Sequence, residues 1–148
     1  MSDAHEAIRN LLGRYAESMD AGDFEAIGAL FANGRLVSDR GDLIAEGAEA
    51  VTAMYTRGTQ LYDGSPSTRH VNVNHIMDVD EAAGTATVRS VYLVLQGTAA
   101  LPLQPIITGR YVDQFARTDV LGWHFTERAF SVDVVGDLSH HLTWNPPV

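Results

Sequence analysis

The most constraining feature of this sequence is a change in its pattern at residue 68. Four long segments rich in Val, Ile, Thr, Tyr and Phe follow, as is typical of β-strands: 68–79, 85–96, 106–117 and 123–135. The connections between these segments are short and contain Gly, Pro or Asp. Because short connections join antiparallel neighbours, we predict an antiparallel meander in the second half of the chain.

The first half of the chain predicts helices instead. Residues 3–19 place apolar side chains along one stripe at helical spacing, and residues 24–31 and 47–57 predict two more helices. A short hairpin is expected at residues 35–44, and Asp23 is expected to cap the second helix. Helices followed by a meander indicate an α+β domain, in which one strongly curved sheet wraps around the helices and leaves a ligand pocket.

Composition narrows the function classes. The chain has 148 residues, which suits one domain, and it carries a net charge of −9 without any basic run. This argues against general binding to nucleic acid or to an anionic membrane, because phosphates require clustered Lys and Arg. The absence of cysteine excludes disulfides and thiolate metal sites. With no signal-like N-terminus and no apolar run near the ~20 residues that span a bilayer, we expect a cytoplasmic protein.

Two polar side chains, Tyr15 and Asp20, lie on or beside the apolar stripe of the first helix, and burying either one requires a partner. A structural role is open for each, with Tyr15 as a core aromatic and Asp20 as a cap of the turn before the second helix. His70 lies on the first long strand, where a lone histidine is more often structural or exposed than catalytic. His75, five residues further on, faces the opposite side in an unbroken strand.

Six different short motifs follow one another along the chain: Tyr15…Asp20-Ala21-Gly22-Asp23-Phe24, Leu30-Phe31, His70-x-x-x-Asn74, Asp78-Val79-Asp80, Gly109-Arg110-Tyr111 and Gly122-Trp123-x-Phe125-x-x-Arg128. Together they resemble the SnoaL-like branch of the nuclear transport factor 2-like superfamily, over about residues 5–135. The resemblance implies a single domain shaped as a cone-shaped α+β barrel, with a strongly curved mixed sheet around three N-terminal helices. It also implies a homodimer or homotrimer, in which the tail at residues 136–148 resembles tails that reach across a trimer.

The resemblance assigns roles to three residues. In the elimination enzymes of this family, an aspartate after the first helix orients a histidine, and the histidine takes a proton from carbon. Asp20 and His70 match those two positions, and Tyr15 matches a tyrosine of the family's dehydratases. An imidazole with a pKa near ~6.5 accepts protons at neutral pH, a carboxylate fixes its tautomer, and a phenol stabilises developing negative charge. Tyr15, Asp20 and His70 are therefore the predicted catalytic residues.

Further residues are predicted to bind substrate: Asn74, Tyr92, Tyr111 and Arg128. Asn74 shares a face with His70 on an unbroken strand, and Arg128 matches a common family arginine, with a salt bridge as its alternative role. No His, Asp and Glu grouping has the spacing of a metal site, and the adjacent His140 and His141 diverge in direction. We expect neither a metal nor a cofactor.

The resemblance implies a cofactor-free lyase or isomerase, dehydratase-like or cyclase-like, that acts on a small apolar cyclic substrate. The strand after His70 offers only Ser90-Val91-Tyr92-Leu93-Val94, where related dehydratases keep a further acid or a second histidine. The alternative is therefore a non-catalytic ligand-binding protein, or a structural subunit resembling the β subunit of a ring-hydroxylating dioxygenase. An epoxide hydrolase of the limonene type would need paired aspartates, and Asp113 and Asp133 lie on separate predicted strands without a motif.

Overall fold

The computed structural model describes residues 3–145. Within this range the helices and strands lie where the sequence pattern predicts them. In chain order they are α1 (Asp3–Ala21), α2 (Phe24–Leu30), β1 (Arg35–Ser38), β2 (Leu43–Glu46), α3 (Gly47–Gly58), β3 (Thr68–Asp80), β4 (Thr85–Gln96), β5 (Gln104–Thr118) and β6 (Gly122–Val135). None of the described helices is long and apolar enough to cross a membrane.

The strands form one mixed sheet in the order β2-β1-β6-β5-β4-β3. All neighbours are antiparallel except β1 and β6, which run parallel. Strand β6 is the last strand of the meander, and the hairpin of β1 and β2 extends the sheet beyond it. The register of β5 against β6 shifts at Thr108/Gly109 and at Gln114/Phe115, and such bulges bend and twist a sheet. The sheet therefore curves around α1 without closing, and the predicted α+β fold is confirmed.

The core fills the space between the helices and the inner face of this sheet. Helix α1 contributes its predicted apolar stripe, of which Ile8 is fully buried, and α2 contributes Ile27. Phe31, Phe125 and Phe115 form a stack, with ring centroids 4.7 Å and 4.6 Å apart for the two successive pairs. Large aromatic rings supply much of the buried apolar area, which is the main favourable term in folding.

Helices α2 and α3 pack closely at Gly28. Asp23 caps α2 as predicted, since its carboxylate accepts a hydrogen bond from the Ala26 N–H at 3.1 Å. A Cβ at Gly28 would lie 2.5 Å from the Ala48 carbonyl oxygen and would also meet the Thr52 hydroxyl. This close approach places α3, which carries Tyr55, beside α1.

The C-terminal tail packs on its own chain. Leu142 forms a bridge with Thr59 just after α3, and the Tyr62 hydroxyl donates to the His140 carbonyl at 2.5 Å. The described part of the tail thus makes these contacts with its own chain, and the expectation that the tail reaches across a trimer stays a prediction. Residues 146–148 lie outside the described residues. The homodimer or homotrimer expected from the resemblance stays a prediction.

Two glycine substitutions in helices should have opposite effects. Gly28→Ala should destabilise the protein by about 1–3 kcal/mol, because its methyl group must displace backbone of α3. Gly13→Ala, at a position on α1 with nothing within 4 Å of the new Cβ, should stabilise it by about 0.5–1 kcal/mol through helix propensity alone. Urea unfolding of both variants measures this, and stabilisation by Gly28→Ala would contradict the close packing.

Candidate active site

A cavity of about 580 Å³ opens between the inner face of the sheet, helices α1 and α3, and the C-terminal tail. Apolar side chains form most of its wall, among them Met19, Met54, Val94, Ile107 and Phe130. The imidazole and phenol groups on this wall belong to Tyr15, Tyr55, His70, Tyr92, Tyr111 and His141. An apolar cavity with a few polar groups is the usual form of a small-molecule site.

Asp20 and His70 form a hydrogen-bonded pair at this cavity. The last turn of α1 carries Asp20, and β3 carries His70. The His70 Nδ1 lies 2.6 Å from the Asp20 Oδ1, and the two side chains are only 9% and 13% exposed. Because a carboxylate only accepts hydrogen bonds, it holds the ring proton on Nδ1 and leaves Nε2 free as a base.

Two further groups of β3 fix the Asp20 carboxylate. The backbone N–H of His70 donates to Oδ1 at 3.0 Å and to Oδ2 at 2.9 Å, and the Thr68 hydroxyl donates to Oδ1 at 2.9 Å. Burial alone would raise the pKa of Asp20, but the hydrogen bond and charge of His70, with these other donors, lower the pKa below its usual value. Asp20 is therefore ionised, and its carboxylate binds β3 and does not cap α2.

Tyr15 meets Tyr55 across the cavity wall. Their hydroxyl oxygens lie 2.5 Å apart, and either one can be the donor. Burial, followed by the charge and hydrogen bond of Tyr15, raises the pKa of Tyr55 well above its ordinary value, so Tyr55 stays protonated. Tyr55 was not predicted to belong to the site. The signal that could have identified it is its place on the apolar side of α3.

Tyr92 and Tyr111 line the cavity as a stacked pair of rings. Their centroids are 4.5 Å apart, and the Tyr92 hydroxyl donates to the Ser131 carbonyl at 2.7 Å. Burial raises the pKa of both phenols, most strongly that of Tyr111. The two residues predicted to bind substrate therefore lie at the cavity wall, with the stacked faces of their rings turned toward each other.

Asn74 does not join this group. The register of β3 against β4 shifts between Val73 and Ile76, and Asn74 adopts a positive φ of 57° within that bulge. The bulge breaks the alternation of side chains that the sequence argument assumed, so Asn74 is exposed and lies outside the cavity lining. The prediction that Asn74 binds substrate from the face of His70 is therefore wrong.

Arg128 lies behind the cavity wall, in a buried ion pair with Asp113. Its Nε donates to Oδ1 at 2.6 Å and its Nη2 to Oδ2 at 2.8 Å. The guanidinium carbon is 4.2 Å from the ring centre of Tyr15 and 3.7 Å from that of Tyr111. Arg128 is not among the residues that line the cavity, so the structure does not support its predicted contact with substrate. The structure shows its alternative role, a salt bridge.

The aspartates considered for an epoxide hydrolase do not meet. Asp113 is fully buried against Arg128, whereas Asp133 pairs with the exposed Arg110, with 2.8 Å between its Oδ2 and the guanidinium Nε. Among residues 3–145, no group of three His, Asp or Glu side chains could hold a metal ion.

His141 is a second imidazole in the cavity, and sequence reasoning missed it. Its ring centroid lies 6.1 Å from that of His70, and the residue is 5% exposed. Burial, and then the charge of His70, lower the pKa of His141 to about 4, although Asp20 acts in the opposite direction. His141 is therefore neutral at pH 7. No local pattern indicates that this part of the tail packs beside β3.

Comparisons with known proteins identify a matching domain family and a shared fold. A family model described as the SnoaL-like domain matches residues 1–129. None of the curated proteins with which the sequence was compared matches it.

Three solved structures from Novosphingobium aromaticivorans share the fold. A nuclear transport factor 2-like protein with a cystatin-like fold is 24% identical, with a TM-score of 0.69, over 86% of this chain and 80% of that chain. A proposed scytalone dehydratase is 24% identical, with a TM-score of 0.68, over 90% and 87%. The β subunit of a proposed aromatic-ring-hydroxylating dioxygenase is 17% identical, with a TM-score of 0.67, over 90% and 91%. At these identities the likeness establishes the fold alone.

Removing one partner of the buried ion pair should be costly. Asp113→Ala leaves the Arg128 guanidinium buried without its carboxylate and should lower the free energy of unfolding by about 3–5 kcal/mol. Asp133→Ala, which breaks the exposed pair with Arg110, is the matched control and should change it little. Urea unfolding compares them, and equal losses in the two variants would argue against a special role for the buried pair.

His141 should make the fold sensitive to acid. Its pKa in the folded protein, about 4, is below the ordinary value of 6.5, so the unfolded chain binds this proton first. The folded state therefore loses stability as the pH falls from about 6.5 toward 4, by roughly 2 kcal/mol at pH 5. Unfolding free energies at pH 7 and pH 5 should differ less in His141→Gln than in the wild type. Identical pH dependences in the two proteins would contradict the burial of a neutral ring.

Proposed function

The chain belongs to the SnoaL-like domain family, as its motifs predict, and we propose that it is a cofactor-free lyase or isomerase. The observation that carries this proposal is the 2.6 Å contact of Asp20 with His70, which lines an apolar cavity. A histidine whose Nδ1 is held by a carboxylate has the arrangement of a general base, because its other nitrogen can accept a proton.

In the proposed reaction, the Nε2 of His70 takes a proton from a carbon next to a carbonyl group. The electron pair of the broken C–H bond moves to the carbonyl oxygen and forms an enolate. Asp20 stabilises the imidazolium that results, since its carboxylate accepts the Nδ1–H and stays ionised. The Tyr15 and Tyr55 pair supplies a protonated phenol that donates a hydrogen bond to the developing negative oxygen.

The proton on His70 then has two chemical outcomes. In a substrate with a C=C bond next to the carbon that lost the proton, the enolate is a dienolate, and the proton delivered to its far carbon completes an isomerisation by shifting the double bond. Given to a leaving hydroxyl on the neighbouring carbon, it releases water and completes an elimination. Either outcome restores neutral His70 without a cofactor, because the base carries the proton between the two steps.

The cavity suits a small ring compound. Its volume of about 580 Å³ falls in the range of small-molecule sites, and the aromatic rings of Tyr92 and Tyr111 lie in its wall. The ligand faces mainly apolar side chains, such as Val94, Ile107 and Phe130. We propose small apolar cyclic carbonyl compounds as the substrates.

The alternative is a protein without activity, either a ligand-binding protein or a structural subunit. The fold likeness to a dioxygenase β subunit favours it, since one fold hosts many functions. Asp20 holds β3 to α1 in either case, but a binder has no need of the further hydrogen bond between its carboxylate and the ring of His70. The assembled pair therefore favours the enzyme.

The proposal can be tested on a model carbon acid before the natural substrate is identified. The wild type should accelerate exchange of the α-protons of 2-tetralone with D₂O, followed by NMR. His70→Ala should lose about 10²–10⁴-fold of that acceleration, the usual contribution of a general base, and Asp20→Asn should also lose rate.

The matched control is His75→Ala, because His75 lies on the same strand but is exposed outside the cavity lining. It should exchange protons at the rate of the wild type. Undiminished exchange by His70→Ala would overturn the proposed base and leave the binding or subunit role.

A further inference from the structure

The tail brings a second polar group to the candidate site. His141 lies on the cavity wall with its ring centroid 6.1 Å from that of His70, and the two rings meet nearly edge to face. Strand β4, beside β3, presents Tyr92 and Val94 to the same cavity. An imidazole is thus supplied by the tail where the neighbouring strand offers only an aromatic and an aliphatic side chain.

The tail holds this imidazole firmly in place. The His141 N–H donates to the Leu138 carbonyl at 3.0 Å, and the His141 carbonyl accepts from the Gln60 N–H at 2.7 Å. The side chain of Gln60 donates to the Leu142 carbonyl at 2.7 Å, and the buried Gln96 donates to the His140 carbonyl at 3.0 Å. A group pre-positioned in this way loses little entropy when it binds a ligand.

The fold itself does not use the ring of His141 for hydrogen bonding. Its Nδ1 is buried and has no hydrogen-bond partner among residues 3–145. Most buried polar atoms in proteins have partners, so an unpaired one needs an explanation. Because no described group fixes the tautomer, a ligand that hydrogen-bonds Nε2, the other ring nitrogen, can decide which of the two carries the proton.

The neutral state of the ring suits a ligand-binding role beside His70. Burial keeps His141 uncharged at neutral pH, so it can donate a hydrogen bond without placing a second positive charge next to the imidazolium that His70 would become. One ligand can lie about 3 Å from each of the two rings, with a carbon atom at His70 and a neighbouring oxygen atom at His141.

We propose that the C-terminal tail completes the site, with His141 as a substrate-binding residue whose imidazole hydrogen-bonds an oxygen substituent of the ring held over His70. This inference rests on the proposed function and narrows its substrates to cyclic carbonyl compounds that carry a second oxygen substituent, as opposed to those whose carbonyl is their only oxygen. Tyr15 and Tyr55 already bond each other, so His141 adds a separate point of recognition.

Binding of two probes of one shape tests the proposal. Naphthalene carries no oxygen, and 2,7-dihydroxynaphthalene carries two, so that one hydroxyl remains for His141 if the tyrosines bind the other. Fluorescence titration should show tighter binding of the diol to the wild type. His141→Leu should weaken diol binding about 3- to 10-fold, the value of one hydrogen bond, and leave naphthalene binding unchanged.

His141→Gln keeps a hydrogen-bonding group and should retain more diol affinity than His141→Leu. Equal weakening of both probes would show that His141 only shapes the wall, and this would overturn the proposal, as would unchanged binding of both. The exchange assay with His70→Ala judges the proposed reaction separately. If His141→Leu loses its selectivity for the diol while proton exchange does not depend on His70, the role of the tail is supported and His70 is rejected as the base.

Discussion

The carboxylate of Asp20 is the interaction on which the structure most depends. It joins the last turn of α1 to the first residues of β3, and its three donors are the Thr68 hydroxyl, the His70 amide and the His70 ring. The backbone bond holds the edge strand against the helix, and the ring bond orients the imidazole. One side chain thus serves the fold and the candidate site together, which explains why a carboxylate is tolerated at this largely buried position.

The buried charge of Arg128 is paired with the carboxylate of Asp113. Burial opposes the charge of Arg128, but the charge and hydrogen bonds of Asp113 outweigh it and raise the guanidinium pKa further, so the pair is ionised. This pair lies behind the rings of Tyr15 and Tyr111, where the guanidinium contacts their faces. The cavity in front is lined by phenols, by the neutral His141 and by one arginine, Arg57. Proton transfer to His70 would therefore create the new charge next to Asp20, the group placed to stabilise it.

The cavity depends on contacts between distant parts of the chain. Helix α3 brings Tyr55 to Tyr15 because Gly28 allows α2 and α3 to approach closely. The tail brings His141 to His70 because Gln60 and Gln96 bind its carbonyl groups. Each of these contacts relates residues that no local pattern connects, and each adds a polar group to an otherwise apolar space.

The sequence by itself determined the helices, the four long strands and the α+β architecture, because hydrophobic periodicity and turn residues are local properties. Its motifs also indicated Asp20 and His70, which the structure brings together. Only the tertiary structure decided the rest. A bulge turned Asn74 outward, Asp113 paired with Arg128 behind the wall, and the tail folded back to add His141. Bulges, ion pairs and tail docking depend on register and on packing between residues far apart in the chain, and periodicity carries no information about either.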